Sequence, residues 1–159
     1  MTTNDTAYVP APVQRISLPE QAGDFYRRMV DLDRAARAGI DPLLAELVRI
    51  HASAINGCAF CLDMHTTDAR KLGEQEHRLH TLPAWREAPW YTARERAALA
   101  LTEAVTLVTD GHVPDAVYDE AAKQFEQQEL AQLIALIIAI NSWNRIAIAS
   151  RMSPAPKQV

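Results

Sequence analysis

The sequence predicts an all-α protein with a single core and about six to seven helices. Three observations carry this. No stretch alternates apolar and polar residues with a period of two for long enough to form a strand. Helix start and stop signals recur along the chain: Ser17-Leu18-Pro19-Glu20 and Thr92-Ala93-Arg94-Glu95 have the capping-box pattern, and Gly39, Asn56-Gly57, Gly73 and Asp110-Gly111 stand where helices end. The 159 residues suffice for one substantial core, and no internal repeat marks a second.

Taken in order, residues 1–15 are expected to be an extended, flexible tail, 16–152 the helical domain and 153–159 a short tail. The first helix follows Ser17 and reaches about residue 38. Asp41-Pro42 open the second, on which Leu43, Leu47, Ile50 and Ala54 form one apolar stripe. The third spans about 58–72, which places Cys58 in the first turn, where backbone donors lack helical partners. A short polar helix over 74–80 leads to a compact loop or single turn marked by Pro83, Pro89, Trp85, Trp90 and Tyr91. An alanine- and leucine-rich helix runs over 92–109, and Pro114-Asp115 open another to about 125.

The last helix, LAQLIALIIAINSWNRIAIA over 130–149, is long enough to span a bilayer, but Gln132, Asn141, Asn144 and Arg145 interrupt it. A central arginine is costly in lipid, so the expectation is a helix buried in protein. It is apolar nearly all round, and such a helix is either central in its domain or covered by a partner subunit.

The 16 basic and 20 acidic side chains are interleaved, so there is no basic stripe for nucleic acid or an anionic membrane. The N-terminus lacks the basic start and apolar core of a secretory signal, and the expected setting is the cytoplasm. There a purely structural disulfide is disfavoured, which gives the only two cysteines a redox, catalytic or metal-binding reading.

Those cysteines lie in NGCAFCLDMH, with His65 four residues after Cys61 and Glu46 twelve before Cys58. On a helix, Cys58, Cys61 and His65 fall within an arc of roughly 60°. Residues at i and i+3 approach to about 5–6 Å, close enough for a reversible Cys58–Cys61 disulfide. The helix dipole favours Cys58, nearer the N-terminus, as the more acidic thiol. Zinc is the alternative, with Cys58, Cys61, His65 and Glu46 as ligands. It is the lesser one, because three of the four share one helix, no second Cys or His pair matches them, and His51, His77, His80 and His112 are scattered. Glu46 borders the apolar stripe, where pairing with Arg49 is the plainer account; Trp85, Trp90 and Trp143 read most simply as core or interface aromatics.

These residues reproduce the E-x(11)-C-x-x-C-x-x-x-H pattern, and the chain thereby resembles the alkyl hydroperoxidase AhpD-like proteins of the carboxymuconolactone decarboxylase superfamily. INGCAFCLDMHTTDARKLG, YTARERAALALTEAVT and INSWNRIAIA extend the likeness over about residues 15–152. The resemblance implies an all-helical fold, trimers or hexamers, and a thiol peroxidase with no cofactor or metal. It assigns Cys61 as the sulfur that attacks a small hydroperoxide, Cys58 as the resolving cysteine, and Glu46 with His65 as the proton relay. It also implies a reducing partner, a dithiol or a lipoyl-bearing protein. Phe60 stands where the best-studied members carry a histidine, and the chain is closer to the short, single-core branch. The superfamily's decarboxylases lack the cysteine pair, which disfavours that activity. A non-catalytic thiol-disulfide or zinc-binding module on the same residues is the competing class.

Overall fold

The structure, a computed structural model, describes residues 9–154. Its helices are α1 (Leu18–Gln21), α2 (Gly23–Arg37), α3 (Pro42–Asn56), α4 (Ala59–Lys71), α5 (Glu76–Thr81), α6 (Ala93–Thr106), α7 (Asp115–Gln124) and α8 (Gln127–Ser150), with a 3-10 turn at Leu82–Ala84. The described residues contain no strand, so the all-α expectation holds. The expected tails fall partly outside the description, at 1–8 and 155–159. Within it, the Arg15 N–H donates to Ser150 O at 2.9 Å and ties the entering segment to the end of α8.

The first expected helix is two. Ala22 leaves helical geometry (φ −138°, ψ 51°), and α1 buries no residue, so no packing holds it in line with α2. The expected capping box at Ser17 does not form, since its side chain makes no cap bond. The one at Thr92 does: the Glu95 N–H donates to Thr92 Oγ1 at 3.2 Å, and the Thr92 N–H to Glu95 Oε2 at 2.7 Å.

α3 is the hub of the bundle. Asp41 caps it by accepting from the Leu44 N–H at 2.9 Å, and Gly57 ends it in the left-handed conformation at φ +69°. The expected single stripe is a correction: every residue from Leu44 to Ser53 is buried. Leu44, Ala45 and Val48 pack with Leu101, Leu133 and Ile137. Leu47 and Ile50 pack with Leu82, Trp85 and Leu99 on another side. Ala52 meets Cys58, Cys61 and Ile140 on a third. With apolar neighbours on three sides, the polar residues of α3 are enclosed too, and Glu46, Arg49, His51 and Ser53 are all buried.

α8 packs against α2, α3 and α6. It has the length and apolarity of a membrane span, yet 56 % of its most apolar stretch is buried inside the protein. α8 is thus central in its own domain. Ile138 and Ile148 stay open, at 51 % and 47 % exposure.

Candidate redox site

The α3–α4 junction builds the cysteine pair. Gly57 turns the chain, the Cys58 N–H donates to Ser53 O at 2.9 Å, and Cys58 becomes the N-cap of α4 in extended geometry. Cys61 follows one turn later. Both cysteines are free thiols, 2 % and 1 % exposed, with their sulfurs 2.9 Å apart.

At that distance the two thiols titrate as a pair. The Cys61 thiol stabilises the Cys58 thiolate by hydrogen bonding. Despite burial, this lowers Cys58 to about 6, with help from the Cys61 and Phe60 backbone N–H groups and from Asn144. These backbone donors belong to the first turn of α4, where the dipole also favours negative charge. Cys61 is displaced far upward, first by its bond to Cys58, then by burial and by the neighbouring thiolate charge. The pair therefore carries one proton at neutral pH, and Cys58 is the acidic member, as its place at the helix start leads one to expect.

The other two residues complete the constellation from α3 and α4. His65 Nδ1 donates to Glu46 Oε2 at 2.7 Å, and Glu46 Oε1 accepts from Arg49 Nη1 at 2.8 Å. Arg49 Nη2 continues to Asp33 Oδ1 at 3.3 Å, and Asp33 meets Arg37 Nε at 3.4 Å. Glu46 thus has both roles the sequence left open: partner of Arg49 and orienter of His65. With Nδ1–H held by the carboxylate, His65 keeps Nε2 as its basic nitrogen.

Cys61, His65 and Glu46 border one cleft of about 300 Å³ between α2, α3, α4 and α8. Tyr26, Phe60, Met64 and Trp143 supply its apolar wall, with Tyr26 and Trp143 edge to face at 5.3 Å between centroids. All four expected site residues come together, although Cys58 lies behind Cys61 and does not border this cleft. Among the described residues no three His, Cys, Asp or Glu groups are placed to hold a metal ion.

Two residues of the sulfur environment escaped the sequence reading. Asn144, fully buried on α8, favours the thiolate form of both cysteines, and Ser53 does so for Cys61. The Asn144 Nδ2–H donates to Ser53 Oγ at 3.0 Å, and Asn144 Oδ1 accepts from Asn56 Nδ2 at 2.9 Å. The available signal was an asparagine inside an otherwise apolar helix, read only as an obstacle to membrane insertion. Trp143, read as a core or interface aromatic, is a wall of the cleft.

Comparison with known sequences gives the lineage. The profile of the carboxymuconolactone decarboxylase family matches residues 23–104, more than half of the chain. The chain belongs to the carboxymuconolactone decarboxylase family. The matched span contains Glu46, Cys58, Cys61 and His65 and stops short of α8, which supplies Asn144 and Trp143 to the site. Within this family the chain is 41 % identical to the uncharacterized protein YdfG of Bacillus subtilis (strain 168), over 91 % of this chain and 99 % of YdfG. Among solved structures it matches ATU0492 of Agrobacterium tumefaciens, a protein of unknown function grouped with the antioxidant defence protein AhpD. The TM-score is 0.89 at 32 % identity, over 91 % of this chain and all of that one. The debrominase Bmp8 shares the fold at a TM-score of 0.74 and 18 % identity, covering 86 % of this chain and 74 % of its own. The chain is an AhpD-like member of a family named for an enzyme.

Proposed function

We propose that the protein is a thiol-dependent hydroperoxide reductase acting in antioxidant defence. The observation that carries this is a dithiol with sulfurs 2.9 Å apart, of which Cys61 shares an apolar-walled cleft with the His65–Glu46 pair. His65 Nε2 takes up a proton from solvent, and the one proton that the pair holds moves from Cys61 to Cys58, which leaves Cys61 as the thiolate. The resulting thiolate attacks the terminal oxygen of ROOH, the O–O bond breaks, and the departing alkoxide takes the proton from His65 to leave as ROH. Cys58 then attacks the sulfenic acid on Cys61, the hydroxide leaves as water with the proton that Cys58 carried, and a disulfide remains. Two electrons from a dithiol or lipoyl-bearing partner restore the pair. The apolar wall suits an organic hydroperoxide better than hydrogen peroxide.

Cys61 takes the attacking role because it borders the cleft beside the base; Cys58, the more acidic thiol at the helix start, is ready to resolve the sulfenic acid. The near-complete cover of both sulfurs favours a second reading, in which the same pair is a slow redox sensor. Trapping and turnover separate these. Cys61→Ser is expected to abolish peroxide consumption, and Cys58→Ser to react once and stall with a trappable sulfenic acid on Cys61. Glu46→Gln is expected to slow the first step by about 10²–10⁴-fold through loss of the oriented base. A sulfenic acid on Cys58 in Cys61→Ser, with none on Cys61 in the other variant, reverses the roles. Loss of two thiols without turnover in the presence of a dithiol selects the sensor. The proposal includes a homo-oligomer and a cytoplasmic setting, where thiols are kept reduced.

A further inference from the structure

We infer that the disulfide is reduced from the side opposite the peroxide cleft, by a small acidic dithiol that enters a second cleft and attacks Cys58. This rests on the thiol-disulfide chemistry proposed above and adds where, and by what class of molecule, the pair is reduced.

The two cysteines border different openings. The second cleft, about 650 Å³, is bordered by Gly57, Cys58, Arg151 and Pro12, and by neither Cys61, His65 nor Glu46. Ala147 and Met152 border both clefts, so together with the sulfur pair they form the partition. At Gly57, on the border of this cleft, nothing lies within 4 Å of where a Cβ would stand.

Arg151 supplies the chemical preference. It is the only basic side chain on the described border of this cleft, and among the described residues no ion pair engages its guanidinium. It also occupies a position where glycine is the easier residue: Arg151 closes α8 in the left-handed region at φ +57°, with the Met152 N–H donating to Ala147 O at 2.9 Å as in a Schellman turn. A charged side chain kept at a backbone position that disfavours any side chain, on the lip of a cleft ending at a redox cysteine, fits recognition of an anionic group such as a carboxylate.

The exchange chemistry agrees with this direction. A thiolate attacks a disulfide sulfur in line with the S–S bond, so attack on Cys58 comes from the side away from Cys61. The S–S bond breaks, the new bond joins the reductant to Cys58, and Cys61 leaves as a thiolate into the cleft that holds His65, through which it receives a proton given up by the dithiol. The second thiol of the reductant then attacks the reductant sulfur bound to Cys58. The reductant departs as a cyclic disulfide, and Cys58 leaves as the thiolate favoured at the start of α4. Two electrons pass from dithiol to cysteine pair; one of its protons ends on Cys61 and the other in solvent. Peroxide and reductant thus meet the pair on opposite faces.

The test is reduction of the oxidised full-length protein, without peroxide, by 3-mercaptopropionate and by neutral 2-mercaptoethanol. Arg151→Gln is expected to slow the anionic thiol by about fivefold, the scale of one charge interaction near the surface, and to leave the neutral thiol within about twofold. Arg151→Gly removes the same charge while suiting the backbone, so it is expected to show the same selectivity with no loss of melting temperature. The anionic aromatic disulfide of 5-thio-2-nitrobenzoate is expected to label Cys58 in Cys61→Ser faster than Cys61 in Cys58→Ser. Equal slowing of both thiols by Arg151→Gln, slowing of neither, or faster labelling of Cys61 overturns the inference. Single-turnover oxidation by peroxide is expected to be unchanged in Arg151→Gln. A protein that exchanges selectively at Cys58 yet never consumes peroxide defeats the peroxidase reading and leaves this inference standing.

Discussion

At the residue scale, a second buried histidine is as constrained as His65 but for a different end. His51 is 3 % exposed; its Nε2 lies 2.9 Å from Glu103 Oε1, and its Nδ1 is buried without a partner among the described residues. Glu103 is also bound by Trp85 Nε1 at 2.8 Å and by Arg86 Nη1 at 2.9 Å. Burial lowers the His51 pKa below 6.5, outweighing Glu103, while Arg86 pushes in the same downward direction as burial. The folded state therefore refuses a proton that the unfolded chain accepts, and stability falls as pH drops below 6.5. His51→Gln keeps an N–H for Glu103 but does not titrate. Thermal melts between about pH 5 and 6.5 are expected to show a shallower loss in that variant than in the wild type. Equal slopes refute the assignment.

At the scale of elements, the contact of α3 with α8 is a polar tie set in an apolar seam. Asn144 joins Ser53 and Asn56, and Asn141 accepts from Asn56 at 3.0 Å and donates to Thr106 at 2.9 Å. Buried amides of this kind are stabilising only while every partner is met, and they hold α8 in one register against α3. Asn144→Ala leaves buried partners unmatched and is expected to cost about 1–3 kcal/mol. It also removes a group that favours the thiolate form of both cysteines. Alkylation of the reduced variant followed against pH is therefore expected to show its first midpoint above that of the wild type. A purely structural role would lower stability and leave that midpoint in place.

At the scale of the whole molecule, the proposed homo-oligomer has a narrower basis than the sequence offered. The breadth of the apolar surface of α8 prompted it, but α2, α3 and α6 cover most of that surface. What remains open on α8 is Ile138, 51 % exposed, and Ile148, 47 %, and on the neighbouring α2 Phe25 is 52 % exposed and Leu32 44 %. The Gln132 side chain reaches Ala35 O and Tyr26 meets Trp143, so the two helices run antiparallel with Leu32 roughly level with Ile138. An apolar strip of this kind fits a subunit contact. Light scattering at micromolar concentration is expected to show an assembly larger than the monomer, and Ile138→Asp to dissociate it without unfolding the chain. A wild-type monomer refutes the assembly.

The helical class, most helix ends and the four residues of the cysteine motif were legible in the sequence, because each depends on neighbours within a turn or two. Thr92 and Glu95 cap their own helix, Gly57 takes the left-handed turn between α3 and α4, and Cys58, Cys61 and His65 share one short segment. The capping box at Ser17 failed and the first helix broke at Ala22, since local pattern alone does not hold a turn that buries nothing. Only the tertiary structure decided the rest. Glu46 on α3 reaches His65 on α4, Asn144 arrives at the sulfurs from more than 80 residues away in sequence, and Leu44 to Ser53 of α3 are all buried although its pattern shows one stripe. The division of the two cysteines between two clefts is likewise invisible in the C-x-x-C spacing. Local geometry follows from backbone periodicity, whereas which buried polar groups meet, and which sulfur faces which opening, follows from how α2, α3, α4 and α8 close around one another.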